Sequence, residues 1–385
     1  MDISKDNKKK IIAFYLPQFH AIPENDKWWG KGFTEWTNTK KAKPLFEGHE
    51  QPKTPLNNNY YNLLDVTVME RQAELAKKYG VFGFCYYHYW FKNGKKLLEK
   101  PLEQMLSDDK VDIPFCFCWA NENWTRNWDG GNREVMVEQD YGDSKDWKIH
   151  FDYLLNFFKD KRYITINNRP LLVIYKPEQI ECFNVMIAEF DKLAKNEGFD
   201  GIIVFSQYPD ICFDERRDSY NIDYYIKFEP AMAVATQIDA NPSFKRKAFH
   251  FMKRTFIKVS FVNSILARLK KRKDQYYMAA KKLEINNYDD IWNTILQKEP
   301  VSDKYISGGF VSWDNTARNK NGMMVQGASP LKFEKYMRAL LQKSSPWNLV
   351  FVNAWNEWGE GAYLEPDERY KYAYLEALKK ALEEN

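Results

Sequence analysis

The sequence lacks any apolar run of the roughly 20 residues that a membrane-spanning helix needs, which argues against an integral membrane protein. Its start, MDISKDNKKKIIAFYLPQFH, passes from a charged stretch directly into a buried-strand pattern, without a separate apolar region or a small-residue cleavage site. We therefore expect a soluble, cytoplasmic protein. The 385 residues suffice for one large barrel or two ordinary domains.

Paired cysteines and closely spaced histidines are also missing. The five histidines show no ligand spacing such as His-x-x-x-His, and no Cys/His cluster accompanies them. An odd number of thiols in a reducing compartment predicts no disulfide framework. We expect neither a metal nor a cofactor. The five cysteines form no Cys-x-x-Cys pair: Cys85, Cys116, Cys118, Cys182 and Cys212.

Strand and helix patterns alternate along the chain. Eight short apolar runs predict buried strands at 10–17, 81–89, 113–121, 170–177, 201–207, 224–230, 307–314 and 349–356. Helical patterns occupy 66–80, 96–106, 146–160, 182–198, 288–297, 330–343 and 366–384. This alternation predicts a single (β/α)₈ TIM barrel over residues 1–385. A doubly wound open sheet is the rival, disfavoured because no strand is followed by a Gly-x-Gly-x-x-Gly turn.

The sequence predicts an insertion within the barrel at residues 231–287, between the sixth and seventh strands. This insertion contains a predicted basic helix. Its segment 245–273 holds eleven Lys and Arg and no acid, while the rest of the chain carries a net charge of −7. We expect this helix to dock on an anionic membrane surface; the alternative is a solvated insertion that packs on the barrel. No recognition motif supports a nucleic-acid partner. Apolar residues recur in it at three- and four-residue steps: Phe249, Met252, Phe256, Val259, Val262 and Leu266.

Aromatic, amide and charged side chains cluster at the predicted carboxyl ends of the strands, where barrel enzymes have their active sites. Such residues suit a carbohydrate, since indole rings stack on sugar C–H faces while amides and charged groups bind hydroxyls. The alternative is packing, which we favour for tryptophans inside helical patterns, such as Trp147 and Trp292. The candidate substrate-binding residues are Gln18, His20, His88, Trp90, Trp119, Asn121, Glu122, Trp124, Arg126, Gln207, Glu229, Trp313, Asp314, Asn356 and Trp358.

Two glutamates follow the last predicted strand, in the sequence WNEWGEG. Glycoside chemistry commonly needs two carboxyls, one to move the leaving-group proton and one to help the anomeric carbon bear positive charge. Glu357 and Glu360 are our candidate catalytic pair, because Gly359 and Gly361 allow a tight turn that brings both acids over the barrel mouth. A solvated loop or a helix N-terminus is the alternative, disfavoured by the position of the pair beside two tryptophans at a strand end. Three reserve acids stand elsewhere at strand ends: Glu122, Glu229 and Asp314.

Four long blocks of the chain carry a family resemblance: AFYLPQFHAIPENDKWWGKGFTEWTN (13–38), YGVFGFCYYHYWF (79–91), FCWANENWTRNWDG (117–130) and NAWNEWGEGAYLEPDERYKYAYLEAL (353–378). They resemble the blocks of the WbsX-type proteins of bacterial surface-polysaccharide loci, also described as glycoside hydrolase family 99-like domains. The resemblance runs nearly end to end, with the basic insertion outside it. It implies a (β/α)₈ fold and an oligo- or polysaccharide substrate, free or lipid-linked, such as lipopolysaccharide O-antigen or capsule.

The better understood relatives of this family are retaining endo-α-mannosidases, in which two glutamates of an Asn-Glu-Trp-x-Glu motif act with the substrate's own 2-hydroxyl. The resemblance implies that Glu357 deprotonates this hydroxyl, giving a 1,2-anhydro sugar, and that Glu360 is the acid/base. Gly359 stands where those mannosidases commonly carry a bulkier residue. We therefore expect the leaving-group subsite to differ.

Three functions stay open at this level. The first is a metal-independent enzyme that cleaves or rearranges a glycosidic bond. The second is a transferase that uses a nucleotide sugar or a lipid-linked donor at the inner membrane face; the basic segment favours it, whereas the chain lacks an Asp-x-Asp motif and a phosphate-binding Gly-rich loop. The third is a non-catalytic carbohydrate-binding protein.

Overall fold

The barrel strands close into a ring in the computed structural model, which describes residues 1–125, 134–207, 217–240, 283–297 and 303–384. Each strand pairs in parallel with the next along the chain, and the last pairs with the first, which places Leu349 opposite Lys10. The predicted (β/α)₈ fold is therefore confirmed. The strands are β1 (Lys10–Tyr15), β2 (Val81–Phe91), β3 (Phe115–Trp119), β4 (Arg169–Ile174), β5 (Ile203–Ser206), β6 (Tyr224–Ile226), β7 (Tyr305–Phe310) and β8 (Leu349–Asn353).

Helices cover the outside of this ring. Each of the seven predicted helices has a counterpart, whereas the periodicity does not predict α1, α2 or α7. Side chains cap several of them; the Asp65 carboxylate accepts from the Thr67 N–H at the start of α3. The described helices are α1 (Pro23–Trp29), α2 (Glu35–Lys41), α3 (Val66–Lys78), α4 (Lys100–Leu106), α5 (Ser144–Phe158), α6 (Phe183–Asn196), α7 (Ala231–Ala240), α8 (Tyr288–Gln297), α9 (Pro330–Leu341) and α10 (Ala373–Glu383).

The last helix, α10, starts seven residues later than its pattern predicts. Ahead of it, the Asp367 carboxylate accepts hydrogen bonds from the Tyr363 hydroxyl and the Tyr370 N–H. Lys371 then has a φ of +48°, outside the helical region. These contacts hold the chain in a turn that sequence periodicity does not reveal.

Aromatic rings fill the barrel interior. The Phe14 ring on β1 lies 5.4 Å from Phe351 on β8, 5.9 Å from Tyr87 on β2 and 5.3 Å from Phe228, which follows β6. Because β6 is not a neighbour of β1, these rings meet across the barrel. The strands are buried on both faces, as the continuous apolar runs predict.

Both β7 and β8 end three or more residues earlier than predicted, and the chain then forms short strands over the carboxyl end of the barrel. Asn356–Glu357 pairs with Ala362–Tyr363 in a hairpin. Trp313–Asp314, Met323–Gln326 and Glu284–Asn287 form a separate three-stranded sheet, called the rim sheet below. Other short strands are Lys95–Leu97 against β2, Trp124–Thr125 against Val135–Val137, and Thr165–Ile166 against β4.

The predicted insertion, 231–287, begins as α7 and ends in the Glu284–Asn287 strand of the rim sheet. Its basic segment, 245–273, lies outside the described residues. Among the helices that the structure describes, none is long and apolar enough to cross a bilayer.

Candidate active site

The hairpin after β8 carries both predicted catalytic glutamates. Glu357 ends its first strand, Glu360 lies in the 3₁₀ turn Trp358–Glu360, and Gly361 closes the turn with a φ of +60°. A side chain at Gly361 would be strained by this φ and would crowd the backbone of Asp314 at about 3.1 Å. The backbone conformation therefore favours glycine at position 361. The turn brings the carboxyls of Glu357 and Glu360 to the same opening.

One guanidinium joins the two acids. Arg318 Nη2 donates to Glu357 Oε2 at 3.0 Å, and Arg318 Nη1 donates to Glu360 Oε1. Arg318 follows the 3₁₀ turn Asn315–Ala317, whose start Asp314 caps by accepting from the Thr316 N–H at 3.1 Å. The loop after β7 thus supplies a cation to the loop after β8.

A third carboxylate completes this cluster. Glu35, in the first turn of α2, accepts from Arg318 Nε at 2.9 Å, and its side chain has no exposed surface. A Cβ on Gly359 would lie 1.7 Å from Glu35 Oε1 and 2.8 Å from Arg318 Nε. Gly359 is therefore the residue that leaves space for the pair formed by Glu35 and Arg318.

Charge balance in the cluster favours a retained proton. Burial raises the pKa of Glu357, the charge of Glu360 adds to this rise, and Arg318 opposes it. Burial likewise raises the pKa of Glu360, again against the opposing effect of Arg318. Three carboxylates face one guanidinium, so full ionisation would leave a net negative charge in a poorly solvated place. A carboxyl that holds a proton beside one that has lost it is the arrangement that general acid–base chemistry needs.

The two acids line a cleft of about 250 Å³ at the barrel mouth. Trp124 forms part of its wall and stacks on Tyr89, with ring centroids 5.5 Å apart and planes 19° apart. Of the predicted site residues, Glu122, Trp124, Trp313, Glu357 and Glu360 meet here. We call this space the catalytic cleft. The other residues that line it are Leu16, Tyr87, Tyr89, Phe91, Ala120, Asn123, Thr125, Tyr175, Phe228 and Arg318.

Gln207 acts on the cleft from its edge, and an ion pair holds Glu122 within it. The Gln207 side chain is buried and donates from Nε2 to the hydroxyl of Tyr87 at 2.8 Å, which fixes that ring in the cleft wall. Glu122 accepts from the ammonium of Lys176, two residues after the end of β4. These contacts place hydroxyl, carboxylate and ammonium groups beside the catalytic pair.

Four other predicted residues hold loops rather than line the cleft. The Asn356 amide bonds both the N–H and the C=O of Leu16, and the Asn121 amide does the same for Lys176. The Glu229 carboxylate accepts from the Ala233 N–H in α7. The Asp314 carboxylate accepts from His49, Gln51 and Thr316.

The remaining predicted aromatic residues pack away from the cleft. Trp90 stacks on His150 with ring centroids 4.4 Å apart, His88 Nε2 lies 2.9 Å from His150 Nε2, and Trp119 Nε1 donates to the Trp90 C=O. Burial lowers the pKa of His88 to about 3, so this imidazole pair is neutral. Strand alternation explains these positions, because successive side chains of a barrel strand point inward and outward in turn.

Three predicted residues lie close to the first and last strands but outside the cleft. Trp358 is 1% exposed, stacks on Tyr363 at 3.8 Å and donates to Glu365. Gln18 and His20 are also buried, and the backbone C=O of Gln18 accepts from the Glu35 N–H at 3.0 Å.

The last predicted substrate-binding residue, Arg126, lies outside the described residues. Among the residues that the structure describes, no cluster of three His, Cys, Asp or Glu could hold a metal ion.

Sequence reasoning missed Glu35 and Arg318, the two residues that organise the catalytic pair. Glu35 lies in the GFTEWTN part of a block that carries the resemblance, yet as the first residue of a short helix it resembles an ordinary first-turn acid. Arg318 is a single arginine in a loop, five residues after Trp313, and nothing in its spacing distinguishes it from a solvated side chain. Tyr89, Tyr175 and Phe228 were also missed, and they look like core residues in sequence.

Comparisons with known proteins identify proteins of similar sequence and agree with the barrel fold. The model of the family described as glycosyltransferase WbsX matches residues 11–378. The protein WxcX of Xanthomonas campestris pv. campestris strain B100 is 34% identical over 384 residues, 97% of this chain and 49% of that protein; WxcX of strain ATCC 33913 is 34% identical over 379 residues. The chain thus spans about half the length of the curated relatives it matches.

Solved structures share the fold at low sequence identity. The GH99 endo-α-mannosidase from Bacteroides thetaiotaomicron aligns with a TM-score of 0.54 and 12% identity, covering 97% of this chain and 96% of that one. A glycoside hydrolase-like protein aligns with a TM-score of 0.57 and 12% identity, covering 98% and 94%. These likenesses establish a common barrel.

Proposed function

Because the chain belongs to the WbsX glycosyltransferase family, we propose that it acts on a glycosidic bond of a bacterial surface polysaccharide or its precursor. The observation that carries this proposal is the pair of carboxyls, Glu357 and Glu360, held by Arg318 in a cleft walled by tyrosine and tryptophan. Aromatic faces bind sugar rings, and two carboxyls can supply the proton transfers that glycosidic bond cleavage needs.

The first chemical step makes a 1,2-anhydro sugar. The Glu357 carboxylate takes the proton of the substrate's 2-hydroxyl, and the hydroxyl oxygen attacks the anomeric carbon. The bond from that carbon to the leaving oxygen breaks, and Glu360 donates its proton to this oxygen. Burial raises the pKa of both carboxyls, that of Glu357 to about 8, so this division of roles requires the retained proton to lie on Glu360 when substrate is bound.

The second step restores the site. Water attacks the anomeric carbon, Glu360 accepts a proton from that water, and the ring-opened 2-oxygen regains a proton from Glu357. Two inversions at one carbon retain its configuration. The Bacteroides structure of similar fold is named an endo-α-mannosidase, which makes an internal α-linked bond our first choice of substrate.

Transfer is the second candidate, and the family description favours it. If a sugar hydroxyl replaces water in the second step, the same residues build a bond instead of hydrolysing one. Such an acceptor or donor can be lipid-linked, and the basic segment 245–273 would then dock the protein on the anionic inner leaflet.

Mass spectrometry of glycans separates these functions. The wild type and Glu360→Gln are incubated with free and lipid-linked surface polysaccharide of the source organism, with and without nucleotide sugars. Shorter glycans alone, formed by wild type without a nucleotide, establish a hydrolase. Longer glycans establish a transferase: its donor is a nucleotide sugar if they form only when one is present, and the polysaccharide itself if they form without one. As a matched control, the exposed Glu376→Gln keeps wild-type activity.

A non-catalytic binding protein gives a different result in the same experiment. Wild type then leaves every glycan unchanged, and Glu357→Gln binds the polysaccharide as tightly as wild type does. This outcome would overturn the catalytic proposal.

A further inference from the structure

A second cavity of about 350 Å³ lies beside the catalytic cleft and has no role in the chemistry described above. We call it the lateral cavity. It is bounded by residues 46–53 of the first connection, the rim sheet, and the chain from 361 to 374. Six side chains that matter for its properties are Lys53, Trp313, Gln326, Arg369, Tyr370 and Tyr374.

The lateral cavity and the cleft share one wall. Trp313 lines both, and the catalytic turn passes between them, with Glu360 at the cleft and Gly361 at the lateral cavity. A single side chain and a single turn therefore separate the two spaces. A chain-like ligand that has one unit in the cleft can reach the lateral cavity across Trp313.

Hydrogen bonds hold the shared wall in place. The Asp314 carboxylate accepts from Gln51 Nε2 at 2.7 Å and from the Thr316 hydroxyl and N–H. His49 Nδ1 accepts from the Leu45 N–H at 3.0 Å, so a neutral ring carries its proton on Nε2 and donates it to Asp314 Oδ2 at 3.0 Å. Asp314 is thus fully engaged with protein groups and acts as a support for the neighbouring Trp313.

The charges around the lateral cavity indicate a neutral ligand. Its two basic side chains, Lys53 and Arg369, both pair with Glu50, the first at 3.5 Å. Asp367 is engaged by the Tyr363 hydroxyl and the Tyr370 N–H. With Glu50 and Asp314 it gives the lining three carboxyls against the two cations, so a phosphate or a polyanion meets no excess of positive charge there. Aromatic rings among paired polar groups suit uncharged sugars instead.

We infer that the lateral cavity is a distal subsite for uncharged sugar residues of the same chain whose scissile bond lies in the cleft. This inference rests on the proposed function and narrows it to substrates several residues long. Trp313 is the platform that the glycan crosses, and Gln326, Tyr370 and Arg369 supply hydroxyl contacts at the distal end.

The test measures affinity against ligand length. The surface polysaccharide of the source organism is cleaved by mild acid, and fragments of one to about eight sugars are titrated by calorimetry against the slow variant Glu357→Gln. Into this background we introduce Gln326→Trp, which places an indole in the lateral cavity from an exposed position. Ile285→Trp is the matched control, because Ile285 is exposed on the same rim sheet and does not line the lateral cavity.

We expect the shortest fragments to bind both variants equally and the longer ones to bind Gln326→Trp about tenfold more weakly than Ile285→Trp. This difference is about 1.4 kcal/mol and corresponds to the loss of one or two distal contacts. Tyr370→Ala, which removes a ring instead of adding one, gives the same dependence on length. Equal affinities of the two tryptophan variants at every length, with Tyr370→Ala also unchanged, overturn the inference while the proposed function stands. If no fragment binds and no glycan is processed, the proposed function itself is wrong.

Discussion

At the scale of single residues, the site is controlled by one cation among three carboxyls. Arg318 uses its Nε and both Nη groups for Glu35, Glu360 and Glu357. The planar guanidinium fixes the directions of these bonds, which an ammonium does not. The separation and orientation of the catalytic pair therefore also depend on Glu35, which shares the Arg318 guanidinium with both acids.

Gly359→Ala tests this dependence. The new methyl group would overlap Glu35 Oε1, and we expect a loss of about 1–3 kcal/mol in the free energy of unfolding, the usual range for overpacking, together with reduced turnover. Glu35→Asp withdraws the carboxylate by one methylene and makes room for the methyl. A double-mutant cycle compares the wild type, the two single variants and the double variant by chemical denaturation and by turnover.

The two changes should be strongly non-additive, with Gly359→Ala less harmful in the Glu35→Asp background than in the wild type. Additive losses would show that Glu35 does not occupy the space above Gly359 in solution.

Glu360→Gln should lower turnover by roughly 10² to 10⁴, the range for general acid–base groups. Glu122 also lines the cleft but pairs with Lys176, so Glu122→Gln should change KM more than kcat. Initial rates from glycan mass spectrometry give both constants. Wild-type turnover in Glu360→Gln would remove the acid/base role.

At the scale of elements, buried polar side chains join loops that the barrel alone would leave independent. Glu365, after the catalytic hairpin, accepts from Gln72 in α3 at 2.6 Å, from Tyr61 at 2.9 Å and from Trp358 at 2.7 Å. The catalytic turn is thereby tied to the first connection. Burial raises the pKa of Glu365 to about 7 against the effect of these donors.

This shift predicts a pH-dependent stability. Above the ordinary carboxyl pKa of 4.5 the unfolded chain releases a proton that the folded protein keeps. The contribution of Glu365 to stability is therefore fully present below pH 4.5 and is lost as pH rises through about 7, by roughly 1 kcal/mol per pH unit.

Glu365→Gln cannot ionise, so its free energy of unfolding should fall less between pH 5 and pH 7 than that of the wild type. Denaturant titrations at several pH values measure the difference, and the exposed Glu376→Gln should follow the wild-type slope. Parallel slopes for wild type and Glu365→Gln would contradict the raised pKa.

Prediction of helices and strands from sequence succeeds where the periodicity is strong. It fails where contacts between distant segments determine the ends of an element. The runs at 307–314 and 349–356 show strands but not where they end, because the ends depend on rim-sheet and hairpin partners. Helix α2 has only seven residues, too few for an apolar period to stand out, yet it carries Glu35.

At the scale of the whole molecule, charge is unevenly distributed. Segment 245–273 carries +11 and the remaining chain −7. Such a segment is attracted to anionic lipid by about 1 kcal/mol per basic residue near the surface. We therefore expect the protein to bind vesicles that contain phosphatidylglycerol and to leave neutral phosphatidylcholine vesicles free, with binding that weakens as salt rises.

A charge-matched pair of variants tests this expectation by vesicle sedimentation. Changing Lys270, Lys271, Arg272 and Lys273 to Gln should abolish most of the binding. The control changes four side chains, each about half exposed or more, outside this segment to Gln, with the same loss of charge: Lys159, Lys192, Lys195 and Lys379. Equal loss in both variants would show a non-specific effect of net charge, and equal binding to neutral vesicles would rule out electrostatic docking.

The sequence by itself determined the (β/α)₈ barrel, because strand and helix periodicities are local and eight alternating units have few ways to bury both sheet faces. It also placed Glu357 and Glu360 after the last strand. Tertiary structure alone decided which polar side chains share the cleft with them. Arg318 and Glu35 are 283 residues apart and meet only when the first and seventh connections fold over the same barrel mouth. His88, Trp90 and Trp119 also lie at strand ends, where the sequence predicts substrate contact. Because side chains alternate along β2 and β3, these three face outward and pack in the core between strands and helices.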